Sequence, residues 1–399
     1  MTSQLFTFVL GVLILSCQAV AADQLSYENF LKAALEQNLG LKIEVARSEA
    51  ARSNAKSVNI PPPMVGYMKM TDQSGSSANG IEINQMIPFP SKISEDRSAR
   101  NYEEQAQEEI RQARESEIRA RAKVLYFNLW ASQARKAALN EKRSVIADHI
   151  RLARASVRSD SFLRIHLLKA ESDFDLLEND LIAADQDIQE KEAAAAEFLN
   201  LEAASFHPIL QEPPTTALPG NKLLESSHQL EAARLTFESF KSRESATKST
   251  WFPDLYLRYK EIGQTQLMPQ TSEVMIGVSL PFLFPWDASA SSGRASAQRF
   301  ESELQFEQER RKIDTEQDVQ FKRATSLKKQ LDNITEKLLP RAEKRLKLVH
   351  NLAPRDMETL QDHRETMEAF SDLKLKSLEL RSQYEEAVSQ LLKFKRGAN

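Results

Sequence analysis

The sequence predicts a mixed, mainly α-helical fold in which long antiparallel coiled-coil helices accompany four β-strands. The prediction depends on a composition typical of long helices, on segments of alternating hydrophobicity, and on a repetition of the whole pattern. Only 10 of the 399 residues are glycine and 7% are aromatic, whereas 28% are charged. The net charge of −4 gives no basic face for nucleic acid. Hydrophobic residues make up 41% of the chain and recur at regular spacings, which argues against disorder.

The N-terminal residues have the features of a secretory signal peptide. The apolar run from Leu5 to Leu15 is too short to span a bilayer, and Ala19-Val20-Ala21 fits a small-x-small cleavage site. We therefore expect residues 1–21 to be a signal peptide. A second interpretation stays open, in which the only cysteine, Cys17, is lipidated. No later segment has the roughly 18 consecutive apolar residues of a transmembrane helix.

The central stretch of the first half is Gly80 to Lys92. Ile81 and Ile83 alternate there with Glu82 and Asn84. This period of two predicts a β-strand with one apolar and one polar face. Prolines follow at once and end the strand, because proline cannot donate to a β-ladder.

The other elements of the first half are separated by similar breaks. We predict a helix over about residues 25–58, a strand over 64–71 and a polar loop over 72–79, which together lead into the central strand. Residues 91–157 contain no glycine or proline and predict one helix about 100 Å long. The helix after the next turn has a heptad seam, formed by Leu163, Leu167, Ala170, Phe174, Leu177, Leu181, Ala184 and Ile188.

The second half repeats this plan. Pro63 and Pro253 are 190 positions apart and Pro88 and Pro281 are 193 apart, while the heptad seam recurs after 196 positions. We predict a first repeat over residues 22–200, a linker over 201–221 and a second repeat over 222–399. The predicted hairpins span 63–88 and 254–281. The second repeat is predicted to contain helices over about 222–250 and 288–349. After a turn near residues 353–356, a last helix extends to about residue 395.

Strands of eight to ten residues have the length of tilted membrane-spanning strands. Four strands cannot close a barrel, and an open edge in lipid would leave backbone groups unpaired at several kcal/mol each. If the strands span a membrane, several chains must therefore share one barrel. The alternative is a pair of soluble hairpins that cap a helical bundle.

The two strand-to-helix junctions carry a family resemblance. Gln85 to Lys92 (QMIPFPSK) and Gly277 to Phe282 (GVSLPF), together with the turn and seam over Arg158 to Leu177, resemble the TolC family of outer-membrane efflux proteins. The resemblance covers residues 25–396. It implies a homotrimer with a shared twelve-stranded barrel in outer-membrane lipid and a helical tunnel in the periplasm. Its implied partners are a periplasmic adaptor and an inner-membrane transporter, with no nucleic acid.

On this basis we expect an outer-membrane channel-tunnel of a tripartite efflux or type I secretion system. A periplasmic coiled-coil scaffold or adaptor that does not span the membrane is the alternative. We expect no enzyme and no cofactor, because no phosphate loop, nucleophile elbow or zinc-protease motif is present. The six histidines are scattered without the spacing of metal ligands.

Three sets of residues are candidates for functional roles. The two predicted turns between long helices would place opposite charges at the periplasmic tip, where they could form a gate: Arg158, Asp160, Arg355 and Asp356. The polar face of the strands would line the barrel lumen: Glu82, Asn84, Arg258 and Lys260. The strand-to-helix elbows contain Pro88, Pro90 and Pro281. Ordinary solvated turns are the alternative for the tip residues.

Four methionines near the first hairpin, Met64, Met68, Met70 and Met86, have two interpretations. Thioethers suit Cu(I), so a path for copper or silver is conceivable. Packing within a barrel or core is the simpler explanation of the same residues.

Overall fold

The computed structural model describes residues 24–157, 163–220, 227–265, 267–283, 285–351 and 357–395. The first half of the chain contains α1 (Tyr27–Gln37), α2 (Leu39–Ala55), β1 (Met64–Thr71), β2 (Ser77–Ile87), α3 (Pro90–Val157) and α4 (Leu163–Phe198). The second contains α5 (His228–Lys248), β3 (Leu255–Ile262), β4 (Thr271–Val278), α6 (Pro285–Asp332), α7 (Leu339–Asn351) and α8 (Met357–Leu392). The predicted fold class, mainly helical with four strands, is confirmed.

The prediction of one continuous helix over residues 25–58 is wrong. The chain is extended at Asn38, with φ −63° and ψ 119°, and α2 begins directly after it. The side-chain Oδ1 of Asn38 accepts a hydrogen bond from the backbone N–H of Leu41 at 3.2 Å, which is an N-cap. Its Nδ2 donates to the carbonyl of Phe198 at 3.3 Å. Asparagine competes for backbone groups in this way, so the helix ends and restarts.

The four strands form one antiparallel sheet in the order β1-β2-β3-β4. The two hairpins are joined by the pairing of β2 with β3, in which Glu82 lies opposite Lys260 and Asn84 lies opposite Arg258. Strands β1 and β4 form the two edges of this sheet. The backbone groups on the outer sides of β1 and β4 have no strand partner within the described chain.

Helix α3 has 68 residues and contacts α1, α2, α4, α5 and α8, whereas α6 packs against α5 and α8. Pro90 and Pro285 are the first residues of α3 and α6, where the missing N–H of proline costs nothing. The predicted seam of α4 is buried against α3, as are its counterparts on α8 against α6. The buried seam residues are Ala170, Leu177, Leu181 and Ala184 on α4 and Leu380, Tyr384, Ala387 and Leu391 on α8.

The sequence predicted one helix over residues 288–349, but the second long helix is interrupted. A π-helical turn over Asn333–Leu338 separates α6 from α7. Pro340 is the second residue of α7. A proline inside an α-helix lacks a donor and collides with the carbonyl four residues earlier, here that of Glu336. The wider π turn contains that carbonyl, so the helical chain continues past the proline. Each described helix is either too short or too polar to serve as a membrane span.

The described part of the linker, residues 201–220, is bound to the helices. Leu25 and Leu210 form a parallel bridge, and the hydroxyl of Tyr126 lies 2.7 Å from the carbonyl oxygens of both Leu25 and Gln211. The hydroxyl of Tyr384 donates to the carbonyl of Thr216 at 2.8 Å. Burial raises the pKa of Tyr384 to about 12, so this donor stays protonated.

The strongest attachment of the linker is a buried ionic site. Glu385 is fully buried and accepts hydrogen bonds from the backbone N–H of Thr216 at 2.7 Å and from its Oγ1 at 2.5 Å. The Nζ of Lys123 lies 3.3 Å from the same carboxylate. Burial lowers the pKa of Lys123, since desolvation outweighs the attraction of Glu385. The linker therefore supplies two of the partners that a buried carboxylate needs.

We expect Thr216→Val to weaken this attachment. The substitution keeps the side-chain volume but removes one donor from a buried carboxylate, which should cost about 1–3 kcal/mol. Urea unfolding and the rate of proteolytic cleavage within residues 201–220 would measure the effect. The control is Thr215→Val, because Thr215 is the exposed neighbour. Equal effects of the two substitutions would contradict the role of the hydroxyl.

Candidate functional site

The two faces of the sheet differ sharply in chemistry. One face, here called the apolar face, carries branched aliphatic and tyrosine side chains that are exposed in the single chain. Its most exposed members include Val274 (73%), Tyr67 (72%) and Ile276 (70%). Six branched aliphatic residues of β2, β3 and β4 share this face by register: Ile81, Ile83, Leu255, Leu257, Val274 and Ile276. Soluble proteins rarely expose a contiguous patch of this kind, so the apolar face needs a partner or a lipid environment.

The opposite face, here called the polar face, contains the predicted lumen residues. Glu82, Asn84, Arg258 and Lys260 share it by register. The Nε of Arg258 lies 2.9 Å from Oε1 of Glu82, and Asn84 donates to the same oxygen at 2.9 Å. Tyr256 donates its hydroxyl proton to Oδ1 of Asn84 at 2.8 Å. The charges of Glu82 and Arg258 therefore offset each other as an ion pair, and Asn84 and Tyr256 extend this group by hydrogen bonds.

Glycines keep the polar face open. Gly66 lies opposite Glu82, and Gly277 lies opposite Tyr256. At Gly80 a side chain would collide with its surroundings, because a Cβ atom would lie 2.6 Å from the carbonyl oxygen of Glu261. A strand face with these glycines can be curved inward without filling the space in front of it.

The turn between β1 and β2 is organised by Asp72. Its Oδ1 accepts hydrogen bonds from the N–H and Oγ of Ser74, at 2.9 and 2.5 Å, and from the N–H of Ser76 at 3.0 Å. Its Oδ2 accepts from the N–H of Leu267 in the β3–β4 loop at 3.3 Å. Hydrogen bonds from the Ser74 side chain first, and then from the Thr265 side chain and the N–H groups of Ser76 and Ser74, lower the pKa of Asp72 to about 2. One carboxylate thus connects the tips of both hairpins.

The elbows of the two repeats meet at Asp254, which precedes β3. Its Oδ1 accepts a hydrogen bond from the N–H of Phe89 at 2.9 Å and pairs with Nζ of Lys92 at 2.7 Å. The rings of Phe89 and Phe252 stack with centroids 4.8 Å apart. The predicted elbow residues lie around this contact. Pro88 follows β2, Pro90 begins α3, and Pro281 begins a short 3₁₀ turn after β4.

An aromatic cluster at the same level was missed by the sequence analysis. Trp251 (36%), Phe252 (48%), Phe282 (54%) and Trp286 (68%) are exposed where the strands meet the helices. Exposed tryptophan and phenylalanine rings at one level are typical of a membrane–water interface. The signal was present in the sequence, because both junctions combine proline with aromatic residues.

The four predicted tip residues, Arg158, Asp160, Arg355 and Asp356, lie outside the described residues, so the gate stays a prediction. Within the described ranges, no group of three or more His, Cys, Asp or Glu side chains could hold a metal ion. The four predicted lumen residues, in contrast, are brought together on one face of the sheet.

The fold is similar to that of solved outer-membrane channels. CusC, whose structures concern transmembrane channel formation, matches with a TM-score of 0.77 at 13% identity, over 93% of this chain and 92% of CusC. The open MtrE channel of Neisseria gonorrhoeae matches with a TM-score of 0.75 at 16% identity, over 94% and 90%. The outer-membrane protein VceC of Vibrio cholerae matches with a TM-score of 0.70 at 15% identity, over 91% and 96%.

The chain thus has the fold of an outer-membrane channel protein. More narrowly, this is the fold of the TolC-family channels, so the resemblance predicted from the two junctions is confirmed for the fold. No family model and no curated protein matches the sequence.

We expect the Lys92–Asp254 pair to stabilise the junction between sheet and helices. Both side chains are largely buried, at 17% and 21% exposure. A double-mutant cycle with Lys92→Met and Asp254→Asn should give a coupling of about 1–2 kcal/mol in thermal or urea unfolding. The control cycle uses the exposed pair Lys322–Asp318, where the coupling should stay below about 0.5 kcal/mol. Additive effects of Lys92→Met and Asp254→Asn on stability would show that the Lys92–Asp254 ion pair does not stabilise the junction.

Proposed function

We propose that this chain is the outer-membrane channel-tunnel of a tripartite efflux or type I secretion system. It would passively conduct substrates delivered by an inner-membrane transporter and a periplasmic adaptor. The observation that carries the proposal is the division of the sheet into an exposed apolar face and a polar face, on a chain with a TolC-family fold. The 13–16% identity to the solved channels makes the function a proposal.

The sheet fits the proposed position in the outer membrane. Strands β1, β3 and β4 have 8 residues each and β2 has 11, which suits tilted strands across a bilayer. The apolar face would contact lipid. The exposed rings of Trp251, Phe252, Phe282 and Trp286 would lie at the periplasmic interface, where the elbows turn the chain from strand to helix.

The open edges support a shared barrel. A sheet of four strands leaves β1 and β4 with unpaired backbone groups, which lipid cannot satisfy. Three copies that pair β4 of one chain with β1 of the next would close a barrel of twelve strands. The polar face, with Glu82, Asn84, Arg258 and Lys260, would then line the lumen.

The helices would continue this pore as a periplasmic tunnel. Helix α3 would extend about 100 Å from the sheet, at 1.5 Å per residue. The tip residues Arg158, Asp160, Arg355 and Asp356 would form the gate and the adaptor-docking end. In this proposal residues 1–21 are a signal peptide, residues 22–200 and 222–399 form the two repeats, and residues 201–221 link them.

The proposal involves no catalytic step, since conduction needs only a lined pore. The second candidate, a periplasmic scaffold or adaptor that does not span the membrane, would share the coiled-coil helices. It gives no reason for the exposure of Val65, Tyr67, Val274 and Ile276 on the apolar face, and we therefore favour the channel.

Cell fractionation tests the proposal directly. We expect the full chain in the outer-membrane fraction, soluble only in detergent, and as an oligomer that dissociates when heated in SDS. Reconstituted protein should conduct ions in planar bilayers. Release of the chain by carbonate or urea, without detergent, would instead support the scaffold.

The lumen assignment predicts a change in ion selectivity. Glu82→Gln leaves Arg258 unpaired on the polar face, so the anion-to-cation permeability ratio should rise by roughly twofold or more. Reversal potentials in planar bilayers under a salt gradient measure this ratio. The control is Glu261→Gln, which makes the same charge change on the opposite face, beside Ile81. A larger shift for Glu261→Gln would place the lumen on the other face of the sheet.

A further inference from the structure

Methionines and branched aliphatic residues are separated between the two faces of the sheet. Every methionine of the four strands lies on the polar face: Met64, Met68 and Met70 on β1, Met86 on β2 and Met275 on β4. Every valine, leucine and isoleucine of the strands except Ile262 lies on the apolar face. A general need for apolar side chains therefore does not explain why the methionines, unlike the branched aliphatic residues, lie on the polar face.

Packing does not explain the methionines on the polar face. Met64 is 67% exposed and Met86 is 43% exposed, while Met70 and Met275 are each 37% exposed. Only Met68 is half-buried, where its Cγ lies beside Gly80. Side chains that filled a core would be buried among other apolar groups. Met64 instead lies opposite Asn84, Met275 lies opposite Arg258, and Met86 follows Asn84 on the same face of β2.

The register places the thioethers in pairs. Met68 and Met70 are two residues apart on one strand, so their Cα atoms are about 7 Å apart on the same face. Met64 lies opposite Asn84, and Met86 is therefore its diagonal neighbour on β2. Diagonal neighbours in an antiparallel sheet are about 7–8 Å apart, within reach of long side chains. Each pair can bring two sulfur atoms to one ion.

We propose that the Met68–Met70 and Met64–Met86 pairs are binding sites for soft monovalent cations, namely Cu(I) and Ag(I). Thioether sulfur is a soft, uncharged ligand that prefers such ions to Na⁺, K⁺ or Mg²⁺. Two sulfur ligands suit the low coordination numbers of these ions. The proposal deepens the proposed channel function by naming a class of substrate, and it rests on that function for its biological meaning.

The surrounding charges are compatible with a conducted cation. Arg258 is paired with Glu82, and Lys260 lies between Glu82 and Glu273 in the register. The polar face therefore does not present unbalanced positive charge next to the methionines. Neutral thioethers bind more weakly than thiolates, and conduction requires several weak sites rather than one tight site. Met275, opposite Arg258 on the far edge strand, extends the same surface.

Binding can be measured without conduction. Full-length protein labelled with ¹³C at the methionine methyl groups would be titrated with silver nitrate in detergent and chloride-free buffer. Ag(I) is the probe because it needs no reductant. We expect the methyl resonances of both pairs to shift at Ag(I) concentrations at least tenfold below those that shift Met367 on α8. Met68→Leu with Met70→Leu should abolish the site of that pair and leave the Met64–Met86 site intact, while Met367→Leu should change neither.

Two results would overturn the proposal. One is an absence of shifts in both pairs at Ag(I) concentrations that already shift Met367. The other is a set of shifts caused by apolar organic solutes but not by Ag(I), which would make the methionines a contact surface for organic molecules. The channel is tested separately by planar-bilayer conductance. Ag(I) binding without conductance would support the soft-cation sites and contradict the channel function. Conductance without Ag(I) binding would support the channel function and contradict the soft-cation sites.

Discussion

The pairing of β2 with β3 is the contact on which the rest of the structure depends. It is the only strand pairing between the two repeats in the described chain, and it fixes the register that brings Glu82, Asn84 and Arg258 onto one face. The same pairing places the two elbows side by side, so that Asp254 of the second repeat can bind Phe89 and Lys92 of the first. A shift of one residue would exchange the faces and disconnect the elbows.

The helices depend on this junction for their direction. Helices α3 and α6 each begin at a proline shortly after a strand, at Pro90 after β2 and at Pro285 after β4, so the orientation of the strands sets where these two helices start. Farther along, the packing is held by narrow seams of alanine, leucine and aromatic residues and by the linker, which is bound to the buried Glu385. Polar groups on the remaining helix surface are mostly engaged in exposed ion pairs, which contribute little stability individually.

Much of the fold follows from local signals, and the rest depends on distant contacts. Alternation and prolines predicted β1 to the residue and placed the second hairpin over 254–281, and the heptad seam predicted which side of α4 is buried. The break at Asn38 was missed because its amide is engaged by Phe198, which is 160 positions away in the sequence. The role of Asp254 was missed for the same reason. The assignment of Glu82, Asn84, Arg258 and Lys260 to one polar face could be predicted from alternation within each strand. The pairing of Glu82 with Arg258 could not, because it depends on the register between β2 and β3.

The π turn before Pro340 distinguishes the two long helices that follow the strands. The corresponding stretch of α3 is regular α-helix, so only one of the two long helices contains a wider turn beside a proline. The two long helices therefore differ here, because a π turn interrupts the regular i→i−4 hydrogen bonds of the α-helix around it. In the proposed ring of three chains, three of the six long helices would contain this π turn. Bending of such a tunnel would follow threefold rather than sixfold symmetry.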